Sequence, residues 1–83
     1  HQGDGTAAIL GGVPAVFTFS VHGESNYPFQ KQVSSLDIGL PDGAADEAYL
    51  AAVSTGLERS FAFGADFLIF VAGADPFVED RLG

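Results

Sequence analysis

The sequence predicts an α/β fold: part of a parallel sheet with flanking helices. Three observations carry this. Residues 67–72, FLIFVA, form a continuous apolar run, the mark of a strand covered on both faces in a parallel sheet. Residues 15–21, AVFTFSV, are β-branched and aromatic and read as another such strand. Between them the apolar spacing becomes helical, with Tyr49, Leu50, Val53, Leu57 and Phe61 sharing one face. Strand, strand, helix, strand is the order expected of an open α/β sheet.

In chain order, GDG at residues 3–5 reads as a tight turn. Thr6 to Leu10 reads as a short helix, with Asp4 near its N-terminus where a carboxylate is favoured. GGVP at 11–14 ends it. The strand at 15–21 follows. Residues 22–35 carry no period and read as a long loop, and a long loop in a compact domain is often functional. Leu36 to Leu40 is a short strand, closed by a PDG turn at 41–43. The helix then runs from Asp46 to Phe61, with Asp46 and Glu47 at its start and Arg59 near its end, matching the dipole. Gly56 weakens this helix, and Gly64 is its expected C-cap.

Eighty-three residues make one small domain at most and bury a limited core. The chain is 47% hydrophobic with eight Phe, too apolar for a disordered tail. It contains no apolar stretch of the ~20 residues a membrane helix needs, and no signal-peptide pattern. Cysteine is absent, which removes disulfides and thiolate metal sites and leans toward a reducing compartment. Methionine is absent too, so a processed N-terminus or a fragment is expected. Eleven acids face three bases, Lys31, Arg59 and Arg81, for a net charge of −8. Nucleic-acid binding requires a basic patch, and none is present. The acids either solvate the loops or attract a cationic substrate.

Two residues invite a chemical reading. Asp75 lies just past the 67–72 run, between Gly73 and Pro76. Ligands of open α/β sheets bind outside the carboxyl ends of the strands, so Asp75 is either a ligand there or a turn-capping aspartate. His1 stands before GDG and is either a metal ligand through neutral imidazole or an exposed terminal residue. With a free amine, it and His22 would also suit copper.

Four blocks carry a family resemblance: HQGDGTA, FTFSVHGESNYPF, DIGLPDGAADEAYL and VAGADPFVEDRLG. In order and with compatible spacing, they resemble the zinc-dependent histone deacetylase family, which includes acetoin-utilisation and acetylpolyamine deacetylases. Glutamine after the first histidine, and NYPF in the loop, resemble the class IV branch and its bacterial relatives. The resemblance spans essentially the whole chain. It implies that residues 1–83 are an internal fragment of one deacetylase catalytic domain, with a partial arginase/deacetylase-type parallel sheet and flanking helices.

By position, the resemblance makes His1 and Asp75 two of three zinc ligands. The third, an aspartate two residues before His1, lies outside the chain, as do the family's catalytic histidine pair and its tyrosine. Asp4 matches the carboxylate orienting one of those histidines. Tyr27 matches the aromatic lining the acyl-lysine channel. Ser20, Val21 and the carbonyl of His1 match positions that hold a structural potassium ion. The implied activity is hydrolysis of the amide of an acylated lysine or polyamine in a cytoplasmic, bacterial-type parent, without direct binding to nucleic acid or membrane. The isolated 83 residues are expected to be inactive. An arginase-like dimanganese relative would carry a further carboxylate two residues after His1, where Gly3 stands instead. A non-catalytic α/β fragment is the other alternative. The shared-site reading requires His1 and Asp75 to meet in space, and it places 15–21 and 67–72 as neighbours in one sheet.

Overall fold

The computed structural model describes all residues from His1 to Gly83. Four elements form: α1 (Asp4–Leu10), β1 (Phe19–Gly23), β2 (Leu36–Leu40) and α2 (Asp46–Phe63). The two strands pair in parallel, in a register running from Phe19 opposite Leu36 to Gly23 opposite Leu40. Helix α2 packs across both strands. The molecule is thus a small α/β structure with a two-stranded parallel sheet.

Helix α1 begins two residues earlier than the sequence predicts, so Asp4 is its first residue, and Gly11 closes it by donating to the Ala7 carbonyl at 2.8 Å. The predicted strand at 15–21 is shifted to Phe19–Gly23. The reason lies at Thr18, which is buried. Its amide donates to Ser35 Oγ at 3.1 Å, and the Ser35 amide donates to Thr18 Oγ1 at 2.9 Å. This exchange takes up the Thr18 amide, while its carbonyl accepts the Leu36 amide at 3.0 Å, and regular pairing starts one residue later. Strand β2 has the predicted bounds.

The predicted strand at 67–72 is not formed. The sheet is β1 beside β2 alone, so 15–21 and 67–72 are not sheet neighbours. Phe67, Ile69, Phe70 and Val71 are exposed. An apolar run becomes a strand only when another strand meets its backbone hydrogen bonds, and neither outer edge of the two-stranded sheet takes up 67–72.

Helix α2 extends to Phe63, and Gly64 caps it in the left-handed conformation at φ 79°, as its sequence position predicts. The extension leaves no basic residue in the last turn, so Arg59 does not serve the helix end. The buried stripe is also rotated from the predicted one. Leu50 and Phe61 face solvent, while Ala52 and Gly56 are buried. The Phe19 ring explains the rotation: it lies so close over Gly56 that a β-carbon there would sit 1.8 Å from its Cζ. A small-residue face lets helix and sheet approach, where larger side chains would hold them apart.

Candidate metal and substrate site

Three segments from distant parts of the sequence meet at one point: the His1 turn, the loop carrying Asn26 and Tyr27, and the chain after Asp75. After Asp75 the backbone folds through two turns, with Phe77 donating to the Ala74 carbonyl at 3.0 Å and Asp80 to the Phe77 carbonyl at 2.9 Å. Asp80 Oδ1 then accepts the amides of Leu82 and Gly83 at 2.8 and 3.1 Å. The Leu82 carbonyl is thereby presented to two partners. His1 Nε2 lies 2.8 Å from it, and Asn26 Nδ2 donates to it at 3.2 Å.

His1 and Asp75 are in direct contact. The His1 α-amino group forms an ion pair with Asp75 Oδ2. The imidazole is not the contacting group, since it is engaged with Leu82. A carbonyl can only accept, so Nε2 carries a proton, and in the neutral ring Nδ1 is then the nitrogen with the lone pair. The Asp75 carboxylate folds over Gly73, where a β-carbon would stand 2.6 Å from Oδ1. Glycine at 73 therefore makes the room that this carboxylate occupies.

Tyr27 stands beside the same point. Its ring meets the His1 imidazole edge-on at 5.8 Å between centroids, and Phe29 follows edge-on at 6.0 Å. Lys31 fixes this loop by donating from Nζ to the carbonyls of Asn26 and Pro28 on either side of Tyr27.

Ser20 and Val21 lie in β1, beneath the His1 turn. Ser20 Oγ accepts the Gly3 amide at 3.4 Å and sits 3.0 Å from His22 Nδ1. With the amide donated to it, the hydroxyl proton is free to go to Nδ1, which fits a neutral imidazole. His22 is buried. Burial holds its pKa below the ordinary 6.5; Asp37 opposes this and Lys31 adds to it. Asp4 opens α1, half-buried, as an acid in the first helical turn.

Gln2 was not among the candidate site residues, yet it is the most enclosed group of the site, 4% exposed. Its Oε1 accepts the Gln32 amide at 2.9 Å, and its Nε2 donates to the Gln32 carbonyl at 2.7 Å and to Asp37 Oδ1 at 3.0 Å. The signal in the sequence is faint. A glutamine beside a candidate ligand reads as polar and solvated until its distant partners are known.

The donor set bears on a metal directly. No cluster of three His, Cys, Asp or Glu side chains forms. His1 and Asp75 are neighbours through the His1 main-chain nitrogen, while the imidazole faces Leu82; an imidazole and a carboxylate are the ligand types of an open nitrogen/oxygen site completed by further donors. His22 is bonded to Ser20 and forms no such cluster with His1. No helix is long and apolar enough to cross a membrane.

The chain is 50% identical over 84 residues to an uncharacterized protein of Picosynechococcus sp. (strain PCC 7002), across 100% of this chain and 28% of that protein. It thus spans about a quarter of the length of the curated relative it matches. No solved structure matches it. The histone deacetylase domain matches from residue 1 to residue 83. That match covers the chain from end to end, and the chain is a member of the histone deacetylase domain family.

Proposed function

We propose that the chain is part of one catalytic domain, of the arginase/deacetylase fold, in a zinc-dependent hydrolase that cleaves the amide of an acylated lysine or polyamine. One observation carries the reading. Two potential ligands 74 residues apart, His1 and Asp75, converge beside an aromatic ring, Tyr27. The Tyr27 loop and the Leu82 carbonyl meet the His1 ring at the same point.

In this reading Asp75 and Nδ1 of His1 are metal donors, and the third lies outside the 83 residues. Zinc, when bound, polarises the scissile carbonyl and acidifies a water. The Leu82 carbonyl holds the His1 ring in the tautomer that leaves Nδ1 free. Tyr27 and Phe29 give an apolar wall for an acyl-bearing stem. Asp4 orients a histidine outside this chain, which serves as base. The carbonyl of His1, Ser20 Oγ and the carbonyl of Val21 would hold a structural potassium ion. The net charge of −8 favours a cationic amine product, and an acylated polyamine or lysine supplies one.

The test uses the full-length protein. Acetyl-lysine, long-chain acyl-lysine and acetylpolyamine are offered before and after chelation, and zinc is then restored. Amine release that chelation abolishes and zinc restores is the expected result. A metal-loaded, folded protein that hydrolyses none of the three overturns the reading.

A further inference from the structure

We infer that Gln2 is a positioning residue, which clamps the turn carrying His1 to the loop carrying Tyr27 and so sets substrate affinity. The inference rests on the functional reading above.

The clamp is built from both ends. At one end Gln2 is bonded covalently to His1. At the other it takes both backbone groups of Gln32, accepting the amide at 2.9 Å and donating to the carbonyl at 2.7 Å. These two partners fix the amide orientation, since an N–H must meet Oε1 and a carbonyl must meet Nε2. The second Nε2 proton goes to Asp37 Oδ1 at 3.0 Å, and Asp37 Oδ2 accepts the Ser34 amide at 2.7 Å. The loop is therefore held at Gln32 and again at Ser34.

The hold passes to the aromatic wall in one step. Lys31 precedes Gln32, and its Nζ donates to the carbonyls of Asn26 and Pro28, the two neighbours of Tyr27. Pinning Gln32 thus pins the base of the lysine arm that grips Tyr27. Tyr27 faces the His1 ring. Without the clamp, the candidate ligand and the channel wall belong to segments joined otherwise by weaker edge contacts. Gln2 is also buried, so a side chain of its size without hydrogen bonds would leave Gln32 unpaired, which is costly. No other side chain bonds to both backbone groups of a single residue in the 24–35 loop.

The experiment uses the full-length, zinc-loaded protein. Amide exchange of Gln32 is read by NMR, zinc by elemental analysis, and KM and kcat with acetyl-lysine and long-chain acyl-lysine peptides. Gln2→Met is expected to speed exchange at Gln32 and to raise KM about tenfold, the size of one lost buried hydrogen-bond pair. Zinc content and kcat should change little. Gln2→Glu alone should behave like Gln2→Met, because a carboxylate there faces Asp37. Adding Asp37→Asn should bring KM part of the way back, since its amide donates to the new carboxylate while its oxygen still accepts Ser34 and the Gln32 carbonyl still lacks its donor. That pair keeps the question open to refutation if Gln2→Met fails to fold. Faster exchange with KM unchanged, or no rescue by the second substitution, overturns the assignment of Gln2. An inactive wild type overturns the functional reading and this inference with it, whereas an active wild type with an indifferent Gln2→Met variant overturns this inference alone.

Discussion

Asp75 and His22 behave differently although both are titratable groups near the candidate site. Asp75 is about a quarter exposed and lies against His1, and in the proposed site its contribution is its charge. Replacing it with asparagine removes that charge and almost no volume. In the full-length protein, Asp75→Asn should leave the melting temperature near wild type. It should remove zinc and activity by more than the roughly 10–100-fold typical of residues that only support a ligand. Elemental analysis checks this, and unchanged zinc content would exclude Asp75 as a ligand. His22 is buried and held neutral, below 6.5, chiefly by burial. The unfolded chain therefore takes up a proton at a higher pH than the folded one. Stability from this group is complete above 6.5 and is lost as pH falls through the lowered folded value. Thermal melts from pH 8 downward should show a decline beginning near 6.5 that His22→Gln flattens. Identical slopes in the two proteins would show that His22 contributes nothing to it.

The contact between α2 and β1 turns on one pair, Gly56 and Phe19. Glycine in a helix interior costs about 1 kcal/mol relative to alanine, and Gly56 accepts this to admit the Phe19 ring. Gly56→Ala should therefore destabilise the full-length protein by ~1 kcal/mol despite the propensity gain, as overpacking usually does. In a Phe19→Leu background the same Gly56→Ala change should become stabilising. Denaturant unfolding of the four proteins reads the coupling directly. Additive effects would show that ring and helix do not press on each other. Both residues are visible in the sequence, but not their partnership. The periodic pattern pointed to Leu50 and Phe61, the largest residues of the stripe, whereas the helix turns its smallest residues to the sheet because the ring opposite is large.

As a molecule, the 83 residues are under-filled. The buried apolar core is Ala7 and Ala52, and no large side chain is fully buried. Meanwhile Phe67, Ile69 and Val71 are each about 80% exposed. Such a surface is larger and more contiguous than solvated monomers usually tolerate. The isolated chain should bind a hydrophobic dye, unfold without a sharp calorimetric transition, and release no acetate from acetyl-lysine peptide above a metal-only blank. Cooperative unfolding with no dye binding would show that the core is sufficient. Measured acetate release would show that two donors are enough.

Sequence alone determined what depends on neighbours in the chain. The stop of α1 at GGVP, the cap at Gly64, the span of β2, the start of α2 and the acid near the start of α1 all follow from local propensity and backbone geometry. The family, too, was legible, because four ordered blocks resemble it in residue identity. Tertiary structure decided what depends on distant partners. It set where β1 begins, through Ser35, and which face α2 buries, through Phe19. It left 67–72 unpaired, since a strand exists only with another strand's hydrogen bonds to meet. It also brought His1 beside Asp75 with the His1 ring turned to Leu82, and showed that Gln2 holds Gln32. Hydrogen bonds and steric fit act over a few ångströms in space, and no local pattern records which residues the fold brings within that range.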